Sequence, residues 1–198
     1  TRLRRNPALW PYAALSASYF AHVGLFLPYL PLWLSDLGLS LLAISLLNAI
    51  PPTTRLAAPY LWGSLADRTG QPNRVMRICV VLSAVGGLGL CLGLQWGLPG
   101  LAVFLFVLFF HNSALMPMSE AAIAQQVTRS GQFDMRLYGQ VRLWGSGGFL
   151  LTVLVAGAWY EYLGIEWLPW LSVLGMLVLG VAVWRLPLPT ATRSSLAS

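Results

Sequence analysis

Six apolar stretches, each about 20 residues or longer, follow one another along the sequence. They fall at 8–34, 41–66, 75–94, 101–127, 137–160 and 167–186. Between them lie "SDLGLS", "DRTGQPNR", "QWGLPG", "TRSGQFDMR" and "EYLGIE". Roughly 20 apolar residues suffice to cross a bilayer as a helix. Charged residues make up 9% of the chain and hydrophobic ones 57%, with a mean hydropathy of +0.69. Soluble domains carry roughly 25% charge, so this chain cannot cover a water-facing surface. The expected fold class is all-α, a polytopic membrane protein with six transmembrane helices. Residues 1–186 form the bundle, and 187–198 form a cytoplasmic tail or the start of an inter-domain linker.

Arginine placement orients the spans. All twelve basic residues are arginine. Arg2, Arg4 and Arg5 precede the first stretch; Arg68, Arg74 and Arg77 surround the second loop; Arg129 and Arg136 flank the fourth; Arg185 and Arg193 follow the last stretch. The other three loops hold only acids, namely Asp36, Glu161 and Glu166. Arginines near span ends usually face the cytoplasm, so both termini are expected there, in a cell inner (plasma) membrane. Trp10, Trp33, Trp96 and Trp167 lie near span ends, where interfacial aromatics belong. The opening "TRLRRNP" is like the start of a signal peptide, but the apolar run continues to residue 34 without a convincing cleavage site. It reads as a first span. A first residue of Thr rather than Met suggests an incomplete reading frame.

The composition also excludes several chemistries. Without lysine there is no Schiff base or lysine nucleophile, and the net charge of +6 is too scattered for a nucleic-acid face. Cys79 and Cys91 lie about 18 Å apart along one predicted helix, too far for a disulfide within it. No metal-ligand spacing and no Ser/His or paired-carboxylate arrangement occurs, so neither a metal, a cofactor nor an enzyme is expected. Glycines crowd the third and fifth stretches, with Gly89 and Gly93 as a GxxxG pair and Gly145, Gly147 and Gly148 in a cluster. Small residues let helix backbones approach in lipid. Pro28, Pro31, Pro51, Pro52, Pro59 and Pro117 predict kinks.

Three ionisable side chains remain deep inside stretches: Arg55, Glu120 and Arg142. Such charges cost at least about 2.5 kcal/mol on insertion scales and usually face a bundle interior or a cavity. Arg142 follows Arg136 by six residues, Glu120 precedes Arg129 by nine, and Arg55 precedes Asp67 by twelve. These separations correspond to depths of about 9, 14 and 18 Å from the cytoplasmic edge. Glu120 and Arg142 thus fall at similar depths on consecutive antiparallel helices, as a structural ion pair or as part of a polar cavity. Glu120 could pair with either arginine. Two arginines against one acid leave an excess positive charge, and arginine binds carboxylates bidentately. His22 and His111 stand alone in their spans. They read as structural histidines, with substrate contact or proton relay as the alternative.

The second loop, "GSLADRTGQPNR", has Gly63, Leu65, Ala66, Asp67, Arg68, Gly70 and Arg74 in the pattern G-x-L-A-D-R-x-G-x-x-x-R. This resembles the signature between the second and third helices of major facilitator superfamily transporters. The segment "YGQVRLWGSGGF" resembles the fifth helix in the lactose-permease-like and 3-phenylpropionate transporter-like branches. "TRLAAPYLWGSLADR" is closer to the second of these. The resemblance covers essentially the whole chain but half of the family fold, one six-helix bundle built as an inverted 3+3 repeat. It implies that Glu120 and Arg142 bind substrate and that Arg55 adds charge to the cavity. It also implies that Gly63, Asp67, Arg68, Gly70 and Arg74 belong to a cytoplasmic gate against a second bundle.

The function implied is proton-coupled symport of a small organic solute by alternating access. A small aromatic carboxylate is the leading substrate, with a sugar or nucleoside as the alternative. The partners are the substrate, the proton, the lipid bilayer and a second six-helix half, from the same chain in the full protein or from a second copy. A non-transporting six-span protein, as truncated remnant or interaction subunit, is the competing reading.

Overall fold

The computed structural model describes residues 9–129 and 132–186. Six helical spans in it are long and apolar enough to cross a membrane: Trp10–Asp36, Leu41–Thr69, Pro72–Leu92, Gly97–Val127, Met135–Leu163 and Ile165–Trp184. The segment 187–198, expected as a tail or linker, lies outside the described residues.

The first two spans are each broken in two. Span 1 consists of α1 (Trp10–Phe26) and α2 (Leu30–Asp36). Pro28 lacks an N–H, and the backbone tightens there as Tyr29 N–H bonds the Phe26 carbonyl at 3.2 Å. Span 2 consists of α3 (Leu41–Asn48) and α4 (Ile50–Thr69), which meet at Ala49 just ahead of Pro51 and Pro52. Ser40 caps α3 by accepting from the Ala43 N–H at 3.3 Å. Pro59 and Pro117 instead lie inside unbroken helices, α4 and α6 (Gly97–Val127). Span 3 is α5 (Pro72–Leu92), and a 3₁₀ turn, Gly93–Trp96, leads on to α6.

Span 5 is α7 (Met135–Leu163), capped by Asp134, whose Oδ1 accepts from the N–H groups of Arg136 at 3.1 Å and Leu137 at 3.0 Å. The approach to that cap holds a short antiparallel pairing of 128–129 with 132–133, which the all-helical expectation did not include. A second 3₁₀ turn, Ile165–Trp167, opens span 6, whose α-helix is α8 (Leu168–Trp184).

The packing has a simple order. α1 packs on α7 and α8, α6 packs on α4 and α5, and α5 packs on α8. Exchanging spans 1, 2 and 3 with spans 4, 5 and 6 reproduces this pattern: 1 on 5 becomes 4 on 2, and 3 on 4 becomes 6 on 1. A repeat of three spans reverses direction across the membrane, so this is an inverted 3+3 arrangement.

Glycines set the closest approaches. A Cβ on Gly148 would collide with the Ala17 carbonyl, and one on Gly145 would lie 2.6 Å from Ser16 Oγ. Both bring α7 against α1. On α5 the backbone approach is at Gly86, where a Cβ would lie 2.5 Å from the Leu108 backbone nitrogen, while Gly89 makes room for the Phe104 ring. The GxxxG pair does not act as one helical face, because α5 ends at Leu92 and Gly93 begins the 3₁₀ turn.

Two apolar clusters form the core. One gathers Leu15, Met76, Cys79, Leu115, Ile123 and Val141, and the other gathers Phe26, Trp33, Leu90, Leu105, Tyr160 and Leu168. Buried His22, Ser83, Asn112 and Ser172 lie between them in sequence depth along their spans. The least enclosed spans are 2 and 5: 28% and 17% of their apolar windows are buried, against 56% for span 4.

Candidate functional site

Glu120 lies near the end of α6, three residues after Pro117. Arg142 lies two turns into α7. Because the helices are antiparallel, the two residues meet, and Arg142 Nη1 forms an ion pair with Glu120 Oε1. The partner is therefore Arg142 rather than Arg55. The pair is not sealed: 44% of the Arg142 side chain and 34% of the Glu120 side chain are accessible. An ion pair at such a boundary keeps some hydration, so it escapes the full desolvation cost of a buried pair and still leaves room for another ligand.

Two tyrosines complete the surroundings. Tyr138 precedes Arg142 by one turn, and its hydroxyl oxygen accepts from Arg142 Nη1 at 3.4 Å. One guanidinium nitrogen is thus steered by two partners, and the remaining donors have none among the described residues. Tyr19 on α1 is 7% exposed, and its phenol lies within electrostatic range of both Arg55 and Glu120. Arg55, on the exposed side of α4, has no hydrogen bond or ion pair among the described residues. Four spans therefore contribute to one polar region: Tyr19, Arg55, Glu120, and Tyr138 with Arg142.

The histidines lie elsewhere. His22 Nε2 is 2.9 Å from Ser172 Oγ, and its ring stacks on Phe26, so it fastens α1 to α8. Its Nδ1 is buried without a partner among the described residues. His111 Nδ1 donates to the Val107 carbonyl at 2.6 Å, and the ring packs against Trp62 of α4 and Phe110. Neither is a hydrogen-bonding neighbour of the Glu120–Arg142 pair.

The loop signature forms the end of α4 and the turn into α5. Gly70 closes the helix with φ +62°, where a side chain would be strained, and its N–H bonds the Asp67 carbonyl at 3.3 Å. Gly63 has open space where a Cβ would go. Arg74 Nη1 reaches Gln71 Oε1 at 3.5 Å, while Asp67 and Arg68 are exposed. Asp67 has no ion pair among the described residues, although it sits at a helix C-terminus whose partial charge is already negative.

Sequence reasoning put Glu120 and Arg142 at similar depths but left Arg55 as an alternative partner for the acid. It passed over Tyr138, although the i,i+4 spacing to Arg142 carries the signal on a helix. Nor did it single out Tyr19, because only the crossing of α1 near α6 brings that phenol to the charges. Ser172 carried no signal at all, because its partner is 150 residues away.

Comparison with known proteins places the chain in a family. A maltose permease of Geobacillus stearothermophilus is 31% identical over 170 residues, which are 85% of this chain and 41% of that protein. A probable 3-phenylpropionic acid transporter of Escherichia coli (strain K12) is 30% identical over 168 residues, 83% of this chain and 41% of that protein. The chain thus spans about two fifths of the length of these relatives. A family model described as the MFS_1 like family matches residues 9–195. With six spans in an inverted repeat and a match across nearly its whole length, the chain is a multi-pass membrane protein of the MFS_1 like family, within the major facilitator superfamily.

Proposed function

We propose that the chain is the N-terminal six-helix half of a proton-coupled symporter that carries a small organic anion, with an aromatic carboxylate as the first choice. The observation that carries this reading is the charge imbalance around Tyr19. One carboxylate, Glu120, is engaged by Arg142, and Arg55 has no ion-pair partner among the described residues. An uncompensated guanidinium within a membrane span is costly. A substrate carboxylate supplies its counter-charge and accepts a bidentate bond. Tyr19 and Tyr138 add aromatic surface and hydroxyl groups beside it.

The missing half is supported by the exposed flanks. Spans 2 and 5 carry Arg55 and Arg142 and are the least enclosed of the six. A second bundle docked there would close the polar region from the open side, and rocking between the bundles would give alternating access. Asp67, Arg68 and Arg74 would then lie at the cytoplasmic gate, with both termini cytoplasmic and the protein in the inner membrane. The arginine-rich loops support that orientation.

The test uses the complete protein reconstituted in proteoliposomes, with 3-phenylpropionate as the probe. Concentrative uptake driven by an imposed proton gradient is expected, and Arg55→Gln should raise the half-saturating concentration by about tenfold or more. Accumulation that ignores the proton gradient rules out proton coupling. Unchanged affinity in both Arg55→Gln and Arg142→Gln rules out anion recognition by this site. A sugar is the second substrate reading, favoured by the similarity to a maltose permease; competition between maltose and 3-phenylpropionate in the same vesicles separates the two.

A further inference from the structure

On the lipid-facing side of the bundle, away from the polar region, two grooves run along α8. The first, of about 480 Å³, lies between α5 and α8 and is lined by Val80, Val81, Ala84, Leu177, Val181 and Trp184, among others. The second, of about 500 Å³, lies between α1 and α8 and is lined by Trp10, Pro11, Ala14, Val178 and Val181. Arg185 lines both. Beside it, Arg77 reaches over from α5: its guanidinium lies 5.8 Å from the Trp184 ring centre, and Nη2 donates to the Trp184 carbonyl at 3.4 Å. Arg77 Nε is buried with no acceptor among the described residues. The Arg185 side chain makes no hydrogen bond or ion pair among the described residues, and its backbone N–H bonds the Val181 carbonyl at 3.1 Å.

Two largely apolar grooves along α8 thus converge on a pair of guanidinium groups at one end of the membrane span. We propose that this is a binding site for an anionic glycerophospholipid of the leaflet on that side. Its phosphate would sit between Arg77 and Arg185, with its acyl chains along α8. The charge pattern selects the occupant. Basic clusters between membrane helices favour anionic headgroups, and neither groove is lined by an acid. Trp184 and Trp10, 50% and 40% exposed, lie at the ends of their helices, where interfacial tryptophans belong. The proposal depends only on the chain's position in a bilayer and holds whatever substrate the protein carries.

Native mass spectrometry tests it. The complete protein is purified in mild detergent and offered phosphatidylglycerol and phosphatidylcholine of identical acyl chains at equal concentration. The wild type should retain phosphatidylglycerol in preference to phosphatidylcholine. Arg185→Gln, which removes no internal bond, should reduce that preference about fivefold, and Arg77→Gln/Arg185→Gln should abolish it. Arg185→Lys keeps the charge and should restore most of it. Equal retention of the two lipids by the wild type overturns the proposal, as does an unchanged preference in Arg185→Gln. Displacement of the lipid by inorganic phosphate alone would also overturn it, in favour of a soluble anion.

Discussion

At the residue scale the informative contrast lies between two arginines of the same chain. Arg142 is held by Glu120 and Tyr138, whereas among the described residues the Arg55 side chain is held by neither an acid nor a hydroxyl. Removing one member of the held pair leaves the other charge unpaired. Glu120→Gln or Arg142→Gln should therefore destabilise the protein by about 1–3 kcal/mol, less than a fully buried pair because each side chain is a third or more exposed. Arg55→Gln should cost little or even stabilise. Chemical denaturation of the three purified variants checks this ordering, and a larger loss for Arg55→Gln would mean that Arg55 has a structural partner. Tyr138→Phe removes one weak bond and should lower uptake only severalfold. His22→Ala should lower the melting temperature, because Ser172 loses its partner in a buried contact. Loss of proton-driven uptake in His22→Ala without a change in melting would instead assign that ring to proton transfer.

The helices themselves were largely legible because their length and apolar content leave few alternatives, and the punctuating residues fall within a few positions of the observed ends. What the sequence could not separate was a proline that breaks a helix from one that does not. Pro28 interrupts span 1, and Pro51 and Pro52 open a new helix at Ile50, yet Pro59 and Pro117 sit in continuous helices. The difference arises from how neighbouring helices satisfy the freed carbonyls, and that is a tertiary matter. The glycines show the same limit. The GxxxG spacing of Gly89 and Gly93 pointed to one helix face, but the backbone contact is made by Gly86, and Gly148 is its counterpart between α7 and α1. Gly148→Ala should therefore destabilise by about 1–3 kcal/mol, while Gly147→Ala, with open space around it, should leave the melting temperature of the bundle unchanged. Equal melting for the two variants would show that α1 and α7 are not in backbone contact.

At the scale of the molecule, the pairing of spans was beyond reach of the sequence until a family resemblance supplied it. Neither hydropathy nor arginine placement says that span 1 packs on span 5 rather than on span 2. Of the candidate site, the similar heights of Glu120 and Arg142 could be read from the spacing along consecutive antiparallel helices, but the choice of Arg142 over Arg55 as the partner needed the structure. The approach of Tyr19 could not be read either, because it depends on where α1 crosses the bundle. If the open faces of spans 2 and 5 receive a second bundle, residues 1–198 and the remainder of the complete protein, co-expressed as two chains, should recover uptake that neither gives alone. Uptake by the six-span chain alone would instead show that copies of it pair.

The exchange pattern of the helix contacts has a consequence for how the chain could be opened. Cutting between Leu92 and Gly97 and joining residue 184 to residue 10 would preserve the contacts among the six spans. Such a circular permutant would, however, present its new ends on the opposite face of the membrane, because three spans separate the old start from the new one. The folded bundle does not distinguish the two cuts; the order in which spans are threaded into the bilayer does. Protease accessibility of the new ends, from inside or outside a vesicle, would reveal which of the two governs.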